Sequence, residues 1–211
     1  MTVRICLVRH GETAWNAERR LQGHSDVPLN AVGEAQASAT ASQLAGQPFD
    51  AIYTSDLCRA RQTARACAEV LGLVEIAEPA LRERHFGKFQ GLTYDEARER
   101  HPAAYRRFEA RDPHYDFDGG ESLTQFYARI SAAITGVADR HPGGQLLVVA
   151  HGGVLDCINR MIRGLDLQPQ RDFLIPNAAL NWVRREASGW TIEAWAQQAH
   201  LDAARDELPN A

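Results

Sequence analysis

Apolar residues recur along this chain with two spacings, and the alternation between them predicts the order of its elements. Val3 to Val8 is a short β-rich run that ends at Arg9-His10-Gly11 and predicts a buried strand. Leu29-Asn30 opens a helical stretch, with Asn30 as its N-cap and Gly46 near its stop. Ala51 to Thr54 predicts a second strand. A helix follows from Asp56, with Leu57, Ala60, Ala64, Cys67 and Leu71 on one face. Residues 79–92 are irregular, punctuated by Pro79, Gly87 and Gly91. Thr93 to Arg111 predicts short helical pieces broken at His101-Pro102, and Asp112 to Gly120 a polar loop. Ser122 caps a long helix whose stripe is Leu123, Phe126, Tyr127, Ile130, Ile134 and Val137, ended by Pro142-Gly143-Gly144. Gln145 to Ala150 is a further strand leading into His151-Gly152-Gly153, then a helix bearing Val154, Ile158, Met161 and Leu165. Ala179 to Arg185 and Trp190 to Ala196 pair as a hairpin around Ser188-Gly189, and the tail after Leu201 is polar and frayed.

Strands alternating with helices predict an α/β fold: a three-layer α/β/α sandwich with a mostly parallel central sheet. The length suits a single domain, 1–211, with a lid-like insertion at about 84–120 and a polar tail at 202–211. In such sheets function collects beyond the carboxyl ends of the strands. Two strands here end at a histidine, His10 and His151, and that coincidence is the first functional clue.

Composition narrows the partners. A formal net charge of −4 gives no basic surface for nucleic acid or an anionic membrane. No apolar run approaches the roughly 18 residues of a membrane span, and Met1 to Val8 is too short for a signal peptide. Cys6, Cys58, Cys67 and Cys157 form no CxxC pair and are expected as reduced thiols, with a catalytic cysteine the minority alternative; this places the protein in the cytoplasm. A homodimer is compatible with the chain.

The local chemistry around His10 favours phosphate. Arg9 supplies a planar fork that matches phosphate oxygens. Gly11 permits close backbone approach to a ligand. Asn16, Gln22 and Gly23 follow in the next loop. The run Leu7-Val8-Arg9-His10-Gly11-Glu12-Thr13-Ala14-Trp15-Asn16 resembles the signature of the histidine phosphatase (phosphoglycerate mutase-like) superfamily. Gln22 to Leu29, Ser55-Asp56-Leu57-Cys58-Arg59-Ala60, Leu81 to Gly87, Gly120-Glu121-Ser122 and Val149 to Gly153 resemble its later segments in the same order.

The resemblance implies a nucleophile at His10, its second ring nitrogen held by a backbone carbonyl, and attack on phosphorus to give a phosphohistidine. Arg9, Arg59 and His151 would surround the phosphoryl oxygens, replacing the metal ions of other phosphoryl-transfer enzymes, so no metal is expected. Asn16, Gln22 and Gly23 would add phosphate contacts, and the partner implied is a small phosphorylated metabolite. Glu83 matches the position of the proton donor. Nearby arginines are expected to depress its pKa in the free protein, and bound phosphate to raise it. Arg61 and Arg65 read as a solvated helix face. Arg98, Arg100, Arg106, Arg107 and Arg111 read as surface charges. Of the other histidines, His24 and His85 border the pocket, and His101, His114, His141 and His200 lie at the surface. Glu12 reads as loop scaffolding, Ser122 as a cap, and Glu121 as its neighbour with a minority chance of touching substrate.

The same site serves two outcomes. The favoured reading, the broad-specificity phosphatase branch, rests on the overall length and on Gln22 to Leu29. The alternative is a phosphoglycerate mutase dependent on 2,3-bisphosphoglycerate, which Glu83-Arg84-His85-Phe86-Gly87 resembles more closely. Phe89-Gln90-Gly91 stands where many phosphatases carry Trp-Glu-Gly. An α-ribazole phosphatase is a third reading. A non-catalytic binding protein is disfavoured because Arg9, His10, Arg59, Glu83 and His151 are all retained.

Overall fold

Strand β1 (Val3–Arg9) sends alternate side chains to opposite faces of a sheet, and both faces are apolar. Ile5 and Leu7 meet one helical layer, Cys6 and Val8 the other. A strand covered on both sides reads as a continuous apolar run, which is what its sequence shows. The structure, a computed structural model, describes residues 1–201. The tail expected to fray at 202–211 lies outside the described residues.

The chain continues through α1 (Ala14–Ala17), α2 (Ala31–Leu44), β2 (Ala51–Thr54), α3 (Cys58–Leu71), β3 (Glu75–Ala77), α4 (Tyr94–Arg100) and α5 (Pro102–Glu109). It ends with α6 (Leu123–Asp139), β4 (Gln145–Ala150), α7 (Gly152–Arg163), β5 (Leu180–Glu186) and β6 (Gly189–Gln197). The strand order is β3-β2-β4-β1-β5-β6. Parallel ladders join the first four, while β5 runs antiparallel to both its neighbours, so the sheet is mixed, with every strand but β5 pointing one way. Helices α2 and α3 pack on the face of Cys6 and Val8, and α6 and α7 on the face of Ile5 and Leu7. The α/β/α sandwich is therefore present, closed at one edge by the β5–β6 hairpin.

Most predicted boundaries hold because local signals set them. Asn30 Oδ1 accepts from Gly33 N–H at 2.8 Å and starts α2. Ser122 caps α6 in a reciprocal box with Gln125. Three expectations need correction. Asp56 is outside α3; its carboxylate is gripped by Arg82 at 2.7 and 2.6 Å, and the helix starts two residues later. Helix α7 stops at Arg163 because Gly164 takes a left-handed φ of 65°, which leaves Leu165 beyond the helix. The 112–120 loop is not simply polar, since Tyr115 and Phe117 are buried.

Those two rings belong to a third apolar cluster with Leu21, Phe86, Phe89, Ala97, Tyr105 and Phe108. Thus the 84–120 segment carries a core of its own. Full burial of one such ring contributes about 1.5–3 kcal/mol, enough to hold the segment against one wall of the site. Arg111 was expected at the surface and is instead buried, with Nη2 3.2 Å from Asp156 of α7 and Nε donating to Leu167 O at 2.8 Å. Its position lies past the end of α5, so helical spacing does not apply to it.

Candidate active site

Parallel pairing of β1 with β4 sets Arg9 opposite Ala150, so the residues after the two strands emerge side by side. His10 N–H donates to Ala150 O at 2.9 Å. The rings of His10 and His151 lie 5.2 Å apart, edge to face. On the other flank of β4, Thr54 of β2 pairs with Val149 and Ser55 N–H donates to Val149 O at 3.1 Å. Three adjacent strand ends thus deliver Ser55, His151 and His10 in a row. The first turn of α3 adds Arg59, and the irregular chain after β3 adds Glu83. Arg9, His10, Asn16, Gln22, Gly23, Arg59 and Glu83 all line one cleft.

The His10 ring has a defined proton. Nδ1 lies 2.7 Å from Gly11 O, an acceptor only, so Nδ1 carries the hydrogen and Nε2 a lone pair. That lone pair meets Arg59 Nε–H at 3.3 Å. Burial, then the Arg59 and Arg9 charges, hold the His10 pKa well below the usual imidazole range, so the ring is neutral at pH 7. Arg59 is oriented by two carbonyls, Nη1 donating to Ser25 O and Nη2 to Gly23 O, both at 2.8 Å. Burial lowers its pKa to about 10, which leaves it charged. The chain around Arg9 is bracketed from residues 175–178: Arg9 Nη1 donates to Ile175 O at 2.9 Å, Asn177 Nδ2 to His10 O at 2.8 Å, and Ala178 N–H to Arg9 O at 2.9 Å.

Glu83 sits at the N-terminus of α7. Its Oε2 accepts from Gly153 N–H at 3.0 Å and its Oε1 from Arg84 N–H at 2.8 Å. The expectation of a depressed pKa is corrected here. Burial raises the carboxyl above its usual range, and the two N–H bonds and the Arg59 and Arg9 charges oppose this only in part. The sequence shows neighbouring arginines but not the loss of water around the acid. A Cβ at Gly153 would stand 2.3 Å from Glu83 Oε1 and 3.0 Å from Phe126 Cε1. Gly153→Ala is therefore expected to displace the carboxylate.

Other residues sort by their contacts. Asn16 Oδ1 accepts from Thr13 N–H at 3.0 Å and from its hydroxyl at 2.9 Å, leaving Nδ2 for the cleft. The Gln22 side-chain oxygen is buried and without a protein partner. Gly11 was read as making room for a ligand. In the fold it makes room for α2, since a Cβ there would fall 2.4 Å from Gly33 O. Glu12 accepts from Asn30 Nδ2 at 2.8 Å, the scaffolding role expected. Glu121 is bound in two places to Arg129, at 2.8 and 2.7 Å, which engages both its oxygens. His24 donates Nε2–H to Glu83 O at 2.9 Å and packs against His85 with ring centres 4.8 Å apart. Arg61 and Arg65 are exposed, as read.

Arg20, Leu21, Phe86 and Gly152 also line the cleft, and sequence reasoning assigned none of them there. Asn177 and Ser55 were likewise missed as partners of the histidines. Ser55 stood in a quoted segment, but only the β2–β4 pairing brings it to His151.

The histidine phosphatase superfamily (branch 1) model matches residues 5–198. The chain is 40% identical over 202 residues to "Phosphoglycerate mutase-like protein 4" of Arabidopsis thaliana, covering 94% of this chain and 86% of that one. It is 39% identical over 202 residues to the "Metal-independent phosphoserine phosphatase" of the same plant, covering 94% and 83%. Among solved structures, Bacillus stearothermophilus YhfR superposes with a TM-score of 0.88 at 30% identity, covering 95% of this chain and all of that one.

Proposed function

Because the chain belongs to the histidine phosphatase superfamily, we propose that it is a phosphomonoester phosphatase of small metabolites working through a phosphohistidine on His10. The observation that carries this reading is the His10 tautomer: the Gly11 carbonyl holds Nδ1–H, so a bare Nε2 faces the cleft that Arg9, Arg59 and Glu83 share. The dianionic phosphoryl group is bound by Arg9, Arg59 and His151, with Asn16 Nδ2, the Gln22 amide and Gly23 as further contacts. These donors do the neutralising, without a metal ion. Nε2 attacks phosphorus, the ester P–O bond breaks, and the leaving oxygen takes the Glu83 proton. In the second half, Glu83 accepts a proton from water as it attacks, the P–N bond breaks, and His10 is restored.

Hydrolysis is favoured over a mutase cycle by where the arginines of the 84–120 segment go. A mutase must hold a second, carboxylate-bearing ligand. Arg98 bonds Asp95 and Tyr105, Arg100 is 4.0 Å from Glu96, Arg107 bonds Asp112, and Arg111 bonds Asp156. None of these four lines the cleft, and Arg20, which does, is held by Glu18 and Glu96 at 2.6 and 2.8 Å. A panel of sugar phosphates and phosphoglycerates, with and without 2,3-bisphosphoglycerate, tests the reading. Phosphate release from sugar phosphates supports it, and phosphoglycerate interconversion without release overturns it.

The proton donor has its own signature. Glu83→Gln is expected to cost about 10²–10³-fold on alkyl phosphates and less than about tenfold on p-nitrophenyl phosphate, whose leaving group needs little protonation. The acid must be protonated, and burial raises its pKa. The rate on alkyl phosphates therefore falls as pH rises through a value above the usual carboxylate range. Glu83→Gln removes this limb, and equal losses on both substrates would refute the role.

A further inference from the structure

Ser55 is fully buried next to the end of β2, and among the described residues its hydroxyl is the one group hydrogen-bonded to the His151 ring. Oγ lies 2.8 Å from His151 Nε2 and receives Leu57 N–H at 3.4 Å. The hydroxyl has one hydrogen to place, and among the described residues the acceptor it meets is His151 Nε2, which then presents a lone pair. Burial, with the charge of Arg59 next, keeps His151 well below the usual imidazole pKa. A neutral ring has a single N–H, so the hydrogen resides on Nδ1. His151 Nδ1 is buried and has no partner among the described residues.

The two facing rings therefore hold opposite tautomers. His10 has its hydrogen on Nδ1, tied to Gly11 O, and a bare Nε2. His151 has a bare Nε2, tied to Ser55, and an Nδ1–H without a partner among the described residues, and the two ring centres lie 5.2 Å apart. A lone pair on the second ring would oppose a dianion; an N–H attracts it.

We propose that Ser55 is a positioning residue that sets the Nδ1–H tautomer of His151, making that ring a hydrogen-bond donor to the phosphoryl oxygens and leaving His10 the nucleophile. What the donor does rests on the phosphatase reading above; which tautomer is present does not.

Nitrogen-15 spectra of the histidine rings test the assignment in the wild-type protein, with His151→Asn identifying the signals. The expected pattern is a neutral His151 protonated at Nδ1. Ser55→Ala is expected to move the population toward Nε2–H, lower kcat on p-nitrophenyl phosphate about 10–100-fold, and leave KM within about threefold. Inhibition by vanadate, a five-coordinate mimic, should weaken by about the same factor as kcat falls. Ser55→Cys, which keeps a weak donor, should restore the tautomer and part of the rate. A wild-type ring protonated at Nε2, or a Ser55→Ala protein with unchanged tautomer and rate, overturns the proposal. Wild-type protein that hydrolyses no phosphomonoester would overturn the activity reading instead, and the spectrum would still decide the tautomer.

Discussion

His10→Ala will abolish turnover, with a loss of at least about 10⁴-fold on any phosphomonoester, because no other group in the cleft can take its place as nucleophile. His151, the one ring within reach, turns its bare nitrogen to Ser55. The covalent intermediate must vanish with the rate. Rapid quenching of wild-type protein with labelled substrate should trap an acid-labile, base-stable phosphoprotein, and the variant should show none. Adding Glu83→Gln to His10→Ala should cost nothing further, since both residues serve one covalent route. A labelled variant, or a rate within about a hundredfold of wild type, would remove His10 from the mechanism. The fold should persist, because the backbone bonds of His10 to Ala150 and Asn177 do not involve its side chain.

Arg59→Ala is expected to lower kcat/KM by about 10³-fold, the scale of removing a preorganised charged donor from a transition state. It should also destabilise the protein. Its guanidinium satisfies Gly23 O and Ser25 O, and truncation leaves both without that donor. One such orphaned group costs about 1–3 kcal/mol, which lowers Tm by several degrees in a chain of this size. Arg59→Lys should recover the charge but not the fork, and regain little activity. Kinetics and thermal unfolding on the three proteins measure both effects. An Arg59→Ala protein within tenfold of wild type in kcat/KM would show that the phosphoryl group is held elsewhere.

These two residues also show how far the chain could be read before folding. Arg9-His10 was legible because it ends an apolar strand, and a polar pair at that boundary must leave the sheet on the ligand side. Arg59 was separable from Arg61 and Arg65 only through the segment around it; helical spacing alone treats them alike. Burial then divides them, with Arg59 1% exposed and the other two on the solvent face. Glu83 was found by position, yet its ionisation was read with the wrong sign. Charge neighbours can be counted along a chain, but desolvation depends on which residues from elsewhere exclude water, here the start of α7 and the cluster behind it.

Arg111, Ser55 and Asn177 mark the same boundary. Each acts on a partner far along the chain: Asp156, His151 and His10. Local periodicity carries no information on such pairs. By itself the sequence determined most of the strands and helices, though not β3 or α1, and which residue types stand at the strand ends, because those depend on spacing and on neighbours within a turn. Only the tertiary structure decided that β1, β4 and β2 lie side by side in register. That arrangement settles which nitrogen of His10 bears a proton, which arginine is dry and which acid is cut off from water. Each of these properties belongs to the distance between groups and the water excluded between them, and neither quantity exists until the strands have paired.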